Sequence, residues 1–99
     1  MKIKKLFNFQ KKVVLITGSS GQICKALVKL FLENGAHVYG MDKKINKKNK
    51  KKNFTQIEID ITKNNKCYNE ILNIISKRKK IDVIINNAAA SFFPIMIFY

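Results

Sequence analysis

The twelve residues Val13-Val14-Leu15-Ile16-Thr17-Gly18-Ser19-Ser20-Gly21-Gln22-Ile23-Cys24 constrain the fold of this 99-residue chain more than any others. Val13 to Thr17 is an unbroken, mostly apolar run, as expected of a strand buried on both faces of a parallel sheet. Gly18 to Gly21 breaks it. Beyond the break Ile23, Leu27, Leu30 and Phe31 recur at i, i+4, i+7 and i+8, the spacing of one helical face. Gly35, just past Asn34, ends that helix as a left-handed cap. A strand, a glycine turn and a helix in this order open a crossover unit, so a parallel neighbouring strand should follow.

His37 to Met41 supplies that strand and Asp42 closes it. Lys43 to Asn53 offers only Ile45 as a sizeable apolar group. It cannot bury a helical face, and a mobile loop is expected where a second crossover helix would stand. Phe54 to Ile59 reads as a strand of mixed exposure, closed by Asp60. Asn64 or Asn65 can cap a helix with a stripe of Cys67, Tyr68, Ile71, Leu72, Ile74 and Ile75, while Lys77 to Lys80 suit its C-terminal dipole. Ile81 to Ile85 is the fourth strand. The alternation implies an α/β fold, a partial Rossmann or doubly wound parallel sheet of about four strands in the order 3-2-1-4 with two main helices. The expected division is a basic extension at residues 1–11, a truncated Rossmann domain at 12–90 and an apolar tail at 91–99. That tail would expose large apolar groups and leave the fourth strand as an unprotected edge, open to self-association or to completion by another chain.

A formal net charge of +14 raises the question of a polyanion partner. The excess lies in Lys43 to Lys52, with smaller groups at Lys2 to Lys5 and Lys77 to Lys80, whereas aromatic residues sit in apolar runs. Single-strand binders interleave rings with charge. The lysines therefore read as solvated loops, and no specific nucleic-acid partner is expected. Cys24 and Cys67 stand far apart with a single histidine, His37, so neither a zinc site nor a disulfide framework is indicated. The start lacks a signal-peptide core, and the closing apolar run is too short for a bilayer, which needs about 20 residues. A cytoplasmic protein without a membrane partner is expected.

Chemistry concentrates at the glycine turn. Gly18 permits a sharp reversal, Gly21 permits close approach by a diphosphate, and the unpaired N–H groups of the helix start can hydrogen-bond that anion. Ser19 and Ser20 can add hydroxyl donors. Asp42 falls 21 residues beyond Gly21, at the end of the next strand, where a carboxylate can accept bonds from the adenosine ribose. Its charge repels a ribose 2′-phosphate. The cofactor expected is therefore NAD rather than NADP, although Lys43 and Lys44 soften the discrimination.

On these residues the chain resembles the short-chain dehydrogenase/reductase superfamily, over roughly Lys12 to Ala90. Thr17, Gly18 and Gly21 fit the spacing of its extended branch, Thr-Gly-x-x-Gly-x-x-Gly. Asn86-Asn87-Ala88-Ala89 is similar to the Asn-Asn-Ala-Gly turn of its compact branch, with Ala89 in place of glycine. The resemblance implies that Thr17, Gly18, Ser19, Ser20, Gly21, Gln22 and Ile23 hold the cofactor phosphates. It further implies Asp42 on the ribose, Asp60 and Ile61 at the adenine, and Asn87, Ala88 and Ala89 in the fourth turn. Cys24 stands where the last glycine is expected, and a side chain there crowds the helix against the strand.

The resemblance also implies hydride transfer on a carbonyl or alcohol carbon, performed by a Tyr-x-x-x-Lys pair on a later helix. The one such spacing here, Tyr39 to Lys43, spans the second strand and is a coincidence. The expectation is thus the NAD-binding N-terminal part of an oxidoreductase, without catalytic residues of its own and inactive alone. Alternatives are a non-catalytic nucleotide-binding or interaction module, a nucleotide-sugar epimerase or dehydratase fragment, and a basic nucleic-acid binder.

Overall fold

The structure is a computed structural model and describes residues 8–60, 63–87 and 95–97. Its elements are β1 (Val13–Thr17), α1 (Gln22–Glu33), β2 (His37–Asp42), β3 (Phe54–Glu58), α2 (Asn64–Arg78), β4 (Val83–Asn86) and β5 (Ile95–Ile97). They form one sheet in the order β3-β2-β1-β4-β5. The first four strands are parallel, with Leu15 level with Tyr39 on one side and with Ile84 on the other. This is the expected doubly wound arrangement, extended by one strand.

β1 is central, and all five of its residues are buried. On one face Val14 and Ile16 pack with Cys24, Val28 and Phe31 of α1 and with Val38 and Ile85. On the other, Val13 and Leu15 pack with Tyr39, Met41 and Ile74, backed by Cys67 and Ile71 of α2. A strand with a helix on each side has no polar face to offer, which is why its sequence does not alternate.

Two helical stripes differ from expectation. Cys24, Val28 and Phe31 form the buried face of α1, whereas Ile23 is 75% exposed. Ile23 and Cys24 are adjacent, about 100° apart on a helix, and only one can face the sheet. The smaller Cys24 takes the close contact. On α2 the six-residue stripe divides, with Cys67, Ile71 and Ile74 against the sheet and Tyr68, Leu72 and Ile75 exposed. Its N-cap residue is Lys63 rather than Asn64 or Asn65, and it receives no side-chain cap.

The connection at residues 43–53 holds no helix, as its composition requires. It is nevertheless fastened. Gln56 Nε2 donates to the carbonyl oxygens of Asn46 (2.9 Å) and Asn49 (3.0 Å), supplying donors that a helix would have provided internally. α1 ends as expected: Ala36 N–H donates to Phe31 O, and Gly35 adopts φ 95°. A Cβ on Gly35 would also lie 2.6 Å from Gln10 Cγ.

β4 is not the sheet edge. β5 pairs with it antiparallel, Ile84 level with Met96. Residues 87–94 are too few for a parallel crossover, but they suffice for an antiparallel return, which covers the ladder groups of an apolar strand. No helix among the described residues is long and apolar enough to cross a membrane.

At the foot of β1, Asp82 Oδ2 accepts the Val13 N–H at 2.7 Å and lies 3.0 Å from Lys80 Nζ. Burial favours the neutral carboxyl, but the Val13 N–H, Lys80 and Lys12 outweigh it and hold Asp82 below its ordinary value of 3.8. A depressed folded value means that this contribution is complete above the unfolded value and fades as pH falls through the folded one. Asp82→Ala also strands a buried strand N–H, so urea unfolding at pH 7 should show a loss of about 1–3 kcal/mol. The difference between parent and variant should narrow below pH 4. An undiminished difference at pH 2.5 would refute the charged role of Asp82.

Candidate functional site

All four parallel strands deliver their C-terminal ends to one edge of the sheet, and the sequence-predicted residues converge there. The turn after β1 begins at Gly18, whose φ of 71° admits the reversal. Gly18 N–H donates to Met41 O at 2.7 Å and Ser19 N–H to the same oxygen at 3.3 Å, which ties the turn to β2. Ser20 N–H donates to Asp42 Oδ2 at 2.9 Å. Asp42 therefore points into the turn. Its Oδ1 accepts the Lys43 N–H at 2.7 Å, and each oxygen keeps a further lone pair for an outside donor.

Gly21 is the N-cap residue of α1, in extended conformation and without a side-chain cap. The N–H groups of the first helical turn, Gln22 to Cys24, lie beyond the reach of any intrahelical carbonyl. No acidic side chain stands in that turn. A Cβ built on Gly21 would meet only Gly18 O, at 3.5 Å, so its outward side is open. Ile23 is exposed beside this tip. Among the described residues the site is a positive helix end without a side-chain cap, which suits an anion held by backbone donors.

The serines behave differently from expectation. Ser19 is 4% exposed, and its Oγ is buried with no hydrogen-bond partner among the described residues. It lies over β2 at Gly40, where a Cβ would come within 2.6 Å of it. Ser20 Oγ donates to Lys44 O at 2.8 Å, which clips the lysine-rich loop to the turn. The N–H groups of the turn itself are spent on Met41, Asp42 and Gly18, so the outward donors are those of the first turn of α1. Gly40 is the residue that sequence reasoning passed over. A glycine inside a strand pattern signals close approach by another chain segment, and here that segment is Ser19.

The fourth turn is joined to the first. Thr17 Oγ1 donates to Asn86 Oδ1 at 2.7 Å and accepts the Asn87 N–H at 3.1 Å. The Thr17 side chain therefore fixes the spacing of β1 and β4 rather than reaching outward. Burial pushes the Cys24 thiol above its ordinary value of 9.0, a hydrogen bond with the Asn87 side chain opposes this, and the Asp42 charge adds to the rise. Cys24 is fully buried, so the crowding expected at the missing glycine is absorbed by packing against Val14, Ile16 and Ile85. Asp60 follows β3, the neighbour of the strand that ends in Asp42, with Oδ2 3.8 Å from Lys43 Nζ. Ile61, Ala88 and Ala89 lie outside the described residues. Tyr39 is buried, its hydroxyl accepting the Arg78 Nε–H at 2.8 Å, and it forms no catalytic pair with Lys43.

The described residues fit a dinucleotide. The open helix tip can take the diphosphate, and Asp42, oriented by Ser20, stands one strand away where an adenosine ribose would lie.

Comparison with known proteins gives the same picture. A family model described as short chain dehydrogenase matches residues 12–96. An NAD-dependent glycerol dehydrogenase of Listeria innocua is 32% identical over 90 residues, which cover 86% of this chain and 35% of that protein. A Leptospira borgpetersenii short chain dehydrogenase, solved with bound NAD+, superposes with a TM-score of 0.69 at 35% identity, covering 80% of this chain and 32% of the other. A C-terminal deletion mutant of the Thermoplasma acidophilum aldohexose dehydrogenase gives 0.72 at 27% identity, covering 83% and 34%. The chain spans about a third of the length of the curated relatives it matches.

Proposed function

Because the chain belongs to the short chain dehydrogenase family, we propose that it is the NAD-binding portion of an oxidoreductase that moves a hydride to or from a carbonyl or alcohol carbon. Bound NAD would supply the hydride acceptor. The first-turn N–H groups of α1 hold the diphosphate, with Thr17 to Ile23 shaping the approach. Asp42 accepts the ribose hydroxyls. By the family resemblance, Asp60 and Ile61 would serve the adenine, and Asn87, Ala88 and Ala89 would complete the cofactor site. Tyr39 does not serve as the acid or base, since it is committed to the core.

One observation carries this reading: an uncapped α1 tip with the Asp42 carboxylate hydrogen-bonded into the same turn. A non-catalytic nucleotide-binding module is the second reading, favoured by β5, which occupies the flank of β4 where a continuing parallel sheet would add its next strand. Calorimetric titration of the 99-residue chain should show saturable NAD binding, and NADP about tenfold weaker because its 2′-phosphate meets Asp42. Adding the remaining two-thirds of a relative separates the two readings, since turnover of an alcohol would support the first. Absence of binding by either dinucleotide would remove both.

A further inference from the structure

At the opposite, N-terminal end of the sheet the backbone is unusual. Lys11 (φ 62°), Asn53 (φ 64°) and Lys79 (φ 71°) are the non-glycine residues of positive φ among those described, and Gly35 (φ 95°) joins them. They precede β1, β3, β4 and β2 respectively, so all four gather at one edge. Non-glycine residues held in this region persist where the surrounding fold over-determines them.

Lys11, Gly35 and Asn53 line a site at this edge, to which Lys11 brings a cation. A cavity of about 310 Å³ opens here, walled by Lys11, Lys12, His37, Arg78 and Lys80, with no carboxylate among its lining residues. Asp82 stands behind it, engaged by Lys80 and the Val13 N–H. Arg78 is fixed in place. Its Nε donates to Tyr39 Oη at 2.8 Å, and its Nη2 lies 2.8 Å from both ring nitrogens of His37. The guanidinium lies over the Tyr39 ring, 5.7 Å from the centroid. A guanidinium has five N–H donors, so donors remain for an outside acceptor in a geometry already set.

We propose that this cup binds a small oligophosphate of about pyrophosphate size, anchored by the Arg78 guanidinium and enclosed by Lys11, Lys12 and Lys80. Lys11, Lys12 and Arg78 bring charge to the cup while Lys80 shares its own with Asp82, which matches a ligand of about three negative charges, and the cavity is roomier than one phosphate needs. The site is separate from the dinucleotide edge and does not depend on that reading.

His37 provides a gauge within the site. Burial, then the charges of Arg78 and Lys77, hold its imidazole below the ordinary value of 6.5. It also faces Thr55 Oγ1 at 3.4 Å and the Tyr39 ring, with Lys11, Lys12 and Lys80 arriving from the segments ahead of β1 and β4. An anion in the cup offsets the repulsion, so binding raises the His37 pKa and is accompanied by proton uptake. The chain has one histidine, which makes its imidazole NMR signal unambiguous.

Titration of the full chain with inorganic pyrophosphate at constant ionic strength should shift that signal saturably and raise its pKa, equally with and without NAD. Lys11→Gly should weaken binding by about fivefold or more; glycine suits φ 62°, so this variant removes a cation without strain. Lys80→Gln should act in the same direction, and Lys66→Gln, exposed in the first turn of α2 and about three helical turns from Arg78, should not. The proposal is overturned by a shift that sodium chloride reproduces, or by one unchanged in both Lys11→Gly and Lys80→Gln. Duplex DNA acting at lower concentration than pyrophosphate would assign the cup to a nucleic-acid backbone and overturn it as well.

Discussion

Replacing Asp42 with alanine should weaken NAD binding by about ten- to a hundredfold. A hydrogen bond to a charged acceptor contributes roughly 1.5–3 kcal/mol, and each 1.4 kcal/mol is a factor of ten in affinity. The loss has two parts, because Asp42 Oδ2 also accepts the Ser20 N–H at 2.9 Å. Alanine removes the ribose acceptor and frees the turn together. Asp42→Asn separates them, since its amide oxygen can still take the Ser20 N–H while the charge is gone. It should therefore recover part of the NAD affinity and reduce the discrimination against NADP. Calorimetry on the three proteins reads both effects. NAD affinity unchanged in Asp42→Ala would remove the carboxylate from the site altogether.

The second large effect concerns Gly40, inside β2 and beneath the β1–α1 turn. In Gly40→Ala the new Cβ would lie 2.6 Å from Ser19 Oγ, 2.8 Å from Ser19 Cβ and 3.1 Å from Phe54 Cε1. The middle distance involves a carbon fixed to the backbone, so rotating the serine does not relieve it. Either β2 or the β1–α1 turn must move. Overpacking of this kind costs about 1–3 kcal/mol, and the upper end applies here. For a domain of this size that corresponds to a fall in Tm of roughly 10–20 °C. NAD binding should fall with it, because the displaced turn also carries the first helical N–H groups. Ser19→Gly in the same chain removes both offending atoms and should restore most of the melting temperature. A single variant that melts with the parent would show that Ser19 does not rest on Gly40.

The parts of the fold legible in the sequence are those set by local chemistry. β1 betrays itself because a strand covered on both faces has no polar positions. The turn is visible because Gly18 and Gly35 occupy backbone conformations that other residues avoid, and Asp42 because strand length fixes its distance from Gly21. Decisions made by distant neighbours were hidden. Whether Ile23 or Cys24 faces inward depends on how closely α1 approaches β1 and β4, and both residues satisfy the periodicity. The stripe on α2 was too wide for the same reason, since six apolar positions exceed what one face can bury. β5 was missed because a three-residue apolar segment reads as a strand only once β4 lies beside it. The inward turn of Ser19 had one visible trace, a glycine in the middle of β2.

The clasp made by Gln56 has a bearing on how this chain can vary. Both protons of one amide nitrogen hold the lysine-rich segment, and they grip main-chain oxygens, not side chains. The identity of the residues in that segment is thus nearly irrelevant to its anchoring. Substitutions can accumulate there without loosening the attachment, while the single glutamine beneath it is far less free to change.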